Sequence, residues 1–301
     1  MITLRRLKKI ISQPSMLYFY ALSKTNKVKL FKLVSDKLED QNISGLKFVL
    51  SFDCDTDLDI EVVEDVNNRL IESGVHAVYA VPGELLIKGK SVYKILMNSG
   101  CEFINHGYRI HTIKDESGKY ASVFDYHLVS EDEVVEDIVL GDKVLKDEFN
   151  YKPRGFRTPH FGSYQTRAQL KLLYKTLEEK EYTFSTSTIP HFGFKNGMVY
   201  KEGNLIEFPI SGMISEPLRI FDSFLFYNQI NAKFDEDKYY EEGLKILEFY
   251  KANPNLSGVI NIYADPSQIY ESHKFFKLMK EFAQIGENKN YSEILDEKSA
   301  F

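Results

Sequence analysis

Two carboxylates stand two residues apart at the end of an apolar run: Asp53 and Asp55 in SFDCDTD, following KFVL. Further on, His106 and His111 lie close together in INHGYRIHT, and Arg157 comes two residues before Pro159 in GFRTPH. Carboxylate oxygens and imidazole nitrogens ligate divalent cations, and an ion with open positions can activate water. Two carboxylates, two histidines and one arginine therefore point to metal-assisted hydrolysis.

The elements that must position these side chains alternate between strand and helix. Lys47 to Phe52 reads as a strand. Ile60 to Ser73 carries Ile60, Val63, Val66 and Leu70 at helical spacing, with Gly74 as its C-terminal stop. HAVYAVPG is a second buried strand, Ser91 to Asn98 a short helix closed by Gly100, and CEFIN a third strand. Ser130 with Glu133 forms a capping box that opens a helix through Asp147, with Val134, Ile138, Val144 and Leu145 on its apolar side. KPRGFRTPH is a strand end or loop, Thr166 to Lys180 and Asp235 to Lys251 are helices, and YTFSTS, LIEFPIS and GVINIYA are further strands. This alternation predicts an α/β fold with a parallel sheet, open or closed into a barrel. Asp53 and Asp55 sit where a strand stops, which is where such folds place their chemistry.

A chain of 301 residues with 43% hydrophobic content suits one domain from about Ile43 onward, residues 43–301, preceded by a basic segment, residues 1–42. The net charge of −6 argues against a nucleic-acid binder, which needs a basic field. Cys54 and Cys101 lie in different segments and form neither a disulfide framework nor a cysteine zinc site; a reducing compartment fits them. The 19 Tyr and 22 Phe could stack on sugar rings but are read first as core. No stretch is long enough to span a bilayer. The basic segment carries Arg5, Arg6, Lys8, Lys9, Lys24, Lys27, Lys29 and Lys32. Its apolar piece, Met16 to Leu22, is short for a signal-peptide core and no Ala-x-Ala-like site follows. It is expected to be an uncleaved, helical extension. Two readings stand for it: peripheral contact with anionic headgroups at the inner membrane face of a cytoplasmic protein, or a solvated helix on the domain edge.

From Leu46 to about Ile269 the motifs resemble, in order, those of the polysaccharide deacetylases, the NodB homology domain of carbohydrate esterase family 4. SFDCDTD resembles the first motif, which implies Asp53 as base and Asp55 as metal ligand. HAVYAVPG resembles the second strand. EFINHGYRIHT resembles the motif with two metal histidines, His106 and His111. GFRTPHFGSY resembles the arginine-x-proline-aromatic motif, and LIEFPIS a late E-x-P-x-S strand. The resemblance implies a distorted (β/α) barrel of about seven parallel strands and a divalent metal, most readily Zn²⁺. It also implies an N-acetylated carbohydrate as substrate, in a glycan or in a precursor of a surface polysaccharide. Arg157 would hold Asp53 ionised, and the backbone N–H of His160 would join the metal in stabilising the oxyanion.

Two departures stand out. The family usually spaces its metal histidines by four, whereas His106 and His111 are five apart, about 140° around a regular α-helix. An irregular loop or a π-like bulge would reunite them, and His127 is the rival third ligand. The strand that usually carries an acidic histidine reads GVINIYADPS, so Asp265 stands in its place, and YTFSTS offers Thr186 and Ser187 but no supporting aspartate. Asp265 is the candidate acid if burial raises it, with His160 or His191 as alternatives. The rival functions are a deformylase or small-amide hydrolase on the same fold, a non-catalytic glycan binder, and a metal-free hydrolase.

Overall fold

Strand β1 (Leu46–Asp53) is buried from Lys47 to Asp53, the mark of a strand covered on both faces. The computed structural model describes residues 15–114, 119–228 and 234–299. In it β1 lies between β10 (Gly258–Ala264) and β2 (Ala77–Val81), parallel to both. β3 (Glu102–Asn105), β6 (Gly155–Phe156), β7 (Phe184–Ser185) and β9 (Leu205–Glu207) continue the sheet. The order β10-β1-β2-β3-β6-β7-β9 gives seven parallel strands, curled into a half-barrel with helices outside. β8 (Tyr200–Glu202) adds an antiparallel edge to β9, and β11 (Glu287–Asn288) pairs with the start of β1. A separate hairpin joins β4 (Thr112–Lys114) and β5 (Tyr120–Ser122).

The expected strands are present, but those on the far side of the sheet are shorter than their apolar runs. YTFSTS pairs at Phe184 and Ser185, and Thr186 N–H still reaches the Phe156 carbonyl at 2.9 Å, but beyond it the backbone finds another acceptor. The N–H groups of Ser187 and Thr188 donate to the Glu207 carboxylate at 2.8 and 2.9 Å. LIEFPIS leaves the ladder after Glu207, where Pro209 has no N–H to give. The chain then runs beside β10, where Ser211 N–H donates to the Asn261 carbonyl at 2.9 Å and Asn261 N–H to the Ser211 hydroxyl at 2.8 Å. That contact partly closes the curl.

The helices over Asp57–Glu72, Lys90–Asn98, Glu131–Phe149, Arg167–Glu179 and Glu236–Ala252 match the periodic segments, and the capping box at Ser130 forms as expected. Thr166 and Gln169 form another. The helix His273–Ile285, which buries Phe275, Phe276, Leu278, Met279 and Phe282, was not among the expected elements.

Residues 15–39 form two helices, Ser15–Thr25 and Lys27–Glu39. The second is a wall of the domain: Leu30, Phe31, Val34 and Leu38 belong to the main core. Lys37 Nζ donates to the carbonyls of Phe194 and Lys195 at 3.2 and 2.6 Å. On the outer side Leu17, Tyr18, Tyr20 and Val28 stay exposed. Arg5, Arg6, Lys8 and Lys9 lie outside the described residues. No helix among the described residues is long and apolar enough to cross a membrane.

Leu30 is fully buried. Leu30→Ala should therefore cost about 2–5 kcal/mol in chemical denaturation, the usual range for emptying a core site. An unchanged midpoint would mean that the helix is only an appendage.

Candidate active site

The C-terminal ends of β1, β3, β6 and β10 deliver the chemistry-bearing side chains to one place. β1 ends on Asp53, and the loop to the next helix carries Asp55. That loop is fastened by Asp59, whose carboxylate accepts the N–H groups of Asp55 and Thr56 at 3.1 and 2.9 Å and the Thr56 hydroxyl at 2.7 Å. The other oxygen of Asp59 accepts the Ser267 N–H at 2.9 Å, joining the loops after β1 and β10.

His106 follows β3, and the chain from His106 to His111 is an irregular loop, so the five-residue spacing meets no helical geometry. Side chains pin it. Asn105 accepts Gly107 N–H at 3.0 Å, Asp137 accepts Arg109 N–H at 2.8 Å, and Glu84 accepts Ile110 N–H at 2.5 Å. Gly107 adopts φ of 80°, and a Cβ there would collide with Asp137. Gly141 of the helix above lets that helix approach the same turn.

The loop brings the two imidazole rings to 4.7 Å, nearly perpendicular. Asp55 Oδ1 lies 3.4 Å from His106 Nε2 and 2.9 Å from His111 Nε2. One ligand atom from each of these three residues lies within 4.8 Å of the others, so a single ion could reach all three. Their state tests the fit. His106 Nδ1 faces the Arg157 carbonyl at 2.9 Å and must be the protonated nitrogen, since a carbonyl only accepts. His106 Nε2 then presents a lone pair. It, Asp55 Oδ1 and His111 Nε2 are buried with no hydrogen-bond partner, and the 2.9 Å contact lacks the alignment of a hydrogen bond. Two imidazole nitrogens and a carboxylate oxygen that converge with no other partner suit a divalent cation. Burial alone would raise the Asp55 carboxyl, but the close approach of the His111 and His106 imidazoles outweighs it and holds it well below the usual range.

Beside this cluster Asp53 and Arg157 form a buried ion pair, Nη1 to Oδ1 at 2.5 Å. Arg157 Nη2 donates to Ser51 Oγ at 2.7 Å and to the Tyr291 hydroxyl at 2.9 Å, and Tyr291 donates to Asn261 Oδ1 at 2.7 Å. Burial would lower the guanidinium, yet Asp53 more than restores it. Asp53 stays 3.9 Å from His106 Nε2. Phe161 and Tyr263 pack beside the guanidinium, with ring centroids 5.3 and 5.9 Å away.

His160 has φ of 57°, unusual for a residue with a side chain. Its Nε2 is surrounded by Ser122 Oγ and the carbonyls of His111 and Phe124 at 2.9, 3.2 and 3.1 Å, which tie it to the hairpin as an N–H donor. Its backbone N–H donates to no carbonyl among the described residues. His127 pairs with Asp125 at 2.7 Å and is absent from the three-residue cluster. His191 packs against Phe19 of the first helix and shares no contact with the cluster among the described residues.

Asp265 follows β10. The register pairs Phe52 with Ala264, which sets Asp265 alongside Asp53. Burial, then the charges of Asp55, Asp59, Asp53 and Asp222, push its carboxyl well above the ordinary value. Gln268 donates to it and Ser223 Oγ meets its backbone N–H at 2.9 Å. Burial also lifts Asp59 to about 6 and Asp222 to about 7.

Sequence reasoning missed Ser51, Asn261 and Tyr291, which hold the arginine. Ser51 was within reach, because it lies two residues before Asp53 and so on the same strand face. Tyr291 gave no local signal.

Residues 43–177 match the family described as polysaccharide deacetylase. No curated protein sequence matches the chain. Among solved structures, a protein of Mycobacterium smegmatis assigned as a polysaccharide deacetylase superposes with a TM-score of 0.61 at 15% identity, covering 85% of this chain and 91% of its own. The PuuE allantoinase gives 0.63 at 11% identity, with 85% and 91% covered. A CE4 family pseudoenzyme from Bacillus anthracis gives 0.51 at 14% identity, with 83% and 66% covered. At these identities the likenesses are of fold.

Asp222 keeps its proton to about 7 when folded but releases it near 3.8 when unfolded, so unfolding releases a proton in between and stability falls as pH rises. Asp222→Asn keeps a capping side chain for Leu225. It should gain stability over the native chain progressively from about pH 4 to about pH 7, by about 2–4 kcal/mol at the upper end. Denaturation curves that stay parallel across that interval would contradict this.

Proposed function

We propose that this chain, whose residues 43–177 match the polysaccharide deacetylase family, is a metal-dependent amide hydrolase that removes the N-acetyl group from an N-acetylated sugar in a polysaccharide or glycan precursor. The observation that carries the reading is the convergence of three unpartnered atoms, Asp55 Oδ1, His106 Nε2 and His111 Nε2, beside a carboxylate engaged elsewhere.

Asp55, His106 and His111 would hold the ion. A bound divalent cation, Zn²⁺ by its donor set, would lower the pKa of water to about 7 and polarise the amide carbonyl. Asp53 serves as the base. Arg157 holds it in a buried ion pair and so aims it. The free backbone N–H of His160, presented by the left-handed turn, donates to the developing oxyanion. Asp265, kept protonated by its neighbours and set alongside Asp53, gives its proton to the departing amine as the C–N bond breaks. The two carboxyl groups thus divide base and acid work through environment, in place of the histidine that such a strand usually carries.

The exposed Leu17, Tyr18, Tyr20 and Val28 stand beside Lys24, Lys27 and Lys29 on the first two helices. Apolar side chains among cations suit the headgroup layer of an anionic bilayer, and this supports peripheral contact at the inner membrane face.

Acetate release from N-acetylated oligosaccharides, measured with metal content, tests the site. Asp53→Asn should keep the metal and lose at least about 10²-fold in kcat, as for loss of a general base, whereas His106→Ala should lose both. Full turnover in Asp53→Asn would refute the base assignment, and no free amine from any acetylated sugar would favour a glycan binder. Separately, the protein should sediment with phosphatidylglycerol vesicles, and Leu17→Ser with Tyr20→Ser should abolish this. Equal sedimentation of both forms would remove the membrane reading.

A further inference from the structure

Outside the Asp53 cluster lies a groove of about 960 Å³ that is lined from Gly162 and Ser163, just beyond His160 in sequence, to Gly203. One wall is the helix Arg167–Glu179, whose Arg167, Lys171 and Lys175 line the groove at successive four-residue steps, hence along one face. Lys195 faces them from the helix Pro190–Asn196. Helix energetics do not ask for this pattern. Cations are unfavourable in a first turn, where the helix dipole is already positive, and this first turn holds Arg167 and no acid. Lys175 meets Glu179 only at 3.7 Å on the surface, and Arg167, Lys171 and Lys195 have no carboxylate partner among the described residues. Of the acids that line the groove, Glu178 accepts the Asn204 N–H at the end away from His160. In a protein of net charge −6, the end of the groove lined by Gly162, Ser163 and Arg167, close in sequence to His160, is thus rich in cations, while Glu178 and Glu202 line it with Gly203.

We propose that this groove receives the anionic part of the substrate, so that the sugar processed belongs to an acidic glycan, bearing carboxylate or phosphate, whose flank lies along Arg167, Lys171 and Lys175 while one N-acetyl group reaches Asp53. This rests on the deacetylase reading for what happens at the mouth, but the binding can be read by itself. A row of exposed cations with at most one weak surface pair among them attracts a polyanion and selects it over a neutral chain of the same length, and added salt weakens the attraction.

The test uses the full chain and the variant Arg167→Gln/Lys171→Gln/Lys175→Gln, all exposed positions. Binding is measured calorimetrically with three probes: hyaluronan hexasaccharide, which carries carboxylates; UDP-N-acetylglucosamine, which carries a diphosphate on one sugar; and neutral chitohexaose. The native protein should bind at least one acidic probe more tightly than chitohexaose. The variant should lose about tenfold on that probe, as expected for removing several attractive charges, and bind chitohexaose unchanged. Whichever acidic probe responds tells a uronate-bearing chain from a phosphate-linked precursor. Equal affinity of native and variant protein for both acidic probes, or native preference for chitohexaose, would overturn the proposal. Acetate release is followed in parallel; its absence with every sugar would sink the hydrolase reading while the affinities still decide the groove.

Discussion

A guanidinium with no solvent exposure cannot remain charged in a protein interior without partners, and the partners of Arg157 organise the rest of this molecule. Asp53 supplies the countercharge, and Ser51 and Tyr291 take the second nitrogen. The same residue gives its carbonyl to His106 Nδ1, which fixes that imidazole as a lone-pair donor at Nε2. One side chain and its own backbone therefore fix both the position of the Asp53 carboxylate and the tautomer of His106. Removing either end of such a pair would leave the other buried and unpaired, so the site and the stability of the barrel are not separable.

The barrel explains why so few residues suffice. Parallel strands all end on one rim, so side chains far apart in sequence meet there without long connections. What varies is the loops. The loop after β1 is held by Asp59, the loop after β3 by Asn105, Asp137 and Glu84, and the turn at His160 by Ser122 and two carbonyls. Each uses a side chain to satisfy backbone groups that no strand or helix satisfies. Rigidity at the rim comes from these hydrogen bonds, and the sheet beneath supplies the frame.

Much of this could be read from the chain. The strands β1, β2, β3 and β10 are apolar runs closed by turn residues, and the helices show their spacing and caps. Asp53, Asp55, His106, His111 and Arg157 could be chosen because acids, imidazoles and an arginine at strand ends have few purely structural uses. Two things could not be read. The far strands shorten to two or three residues because Glu207 captures backbone N–H groups, a contact local pattern cannot foresee. The five-residue histidine spacing is resolved by a loop whose shape depends on Asp137 and Glu84, which are distant in sequence. The role of Tyr291 is of the same kind, since its hydroxyl reaches Arg157 across 134 residues of chain.

That last contact bears on how the protein matures. Chains are made from the N-terminus, and the hydroxyl that completes the arginine's set arrives long after the strands that carry Ser51, Asp53 and Arg157. A chain that stopped before Tyr291 would leave the guanidinium with one donor lacking its acceptor in a buried position. The last helix is therefore part of the arginine's environment although it lies far from it in sequence.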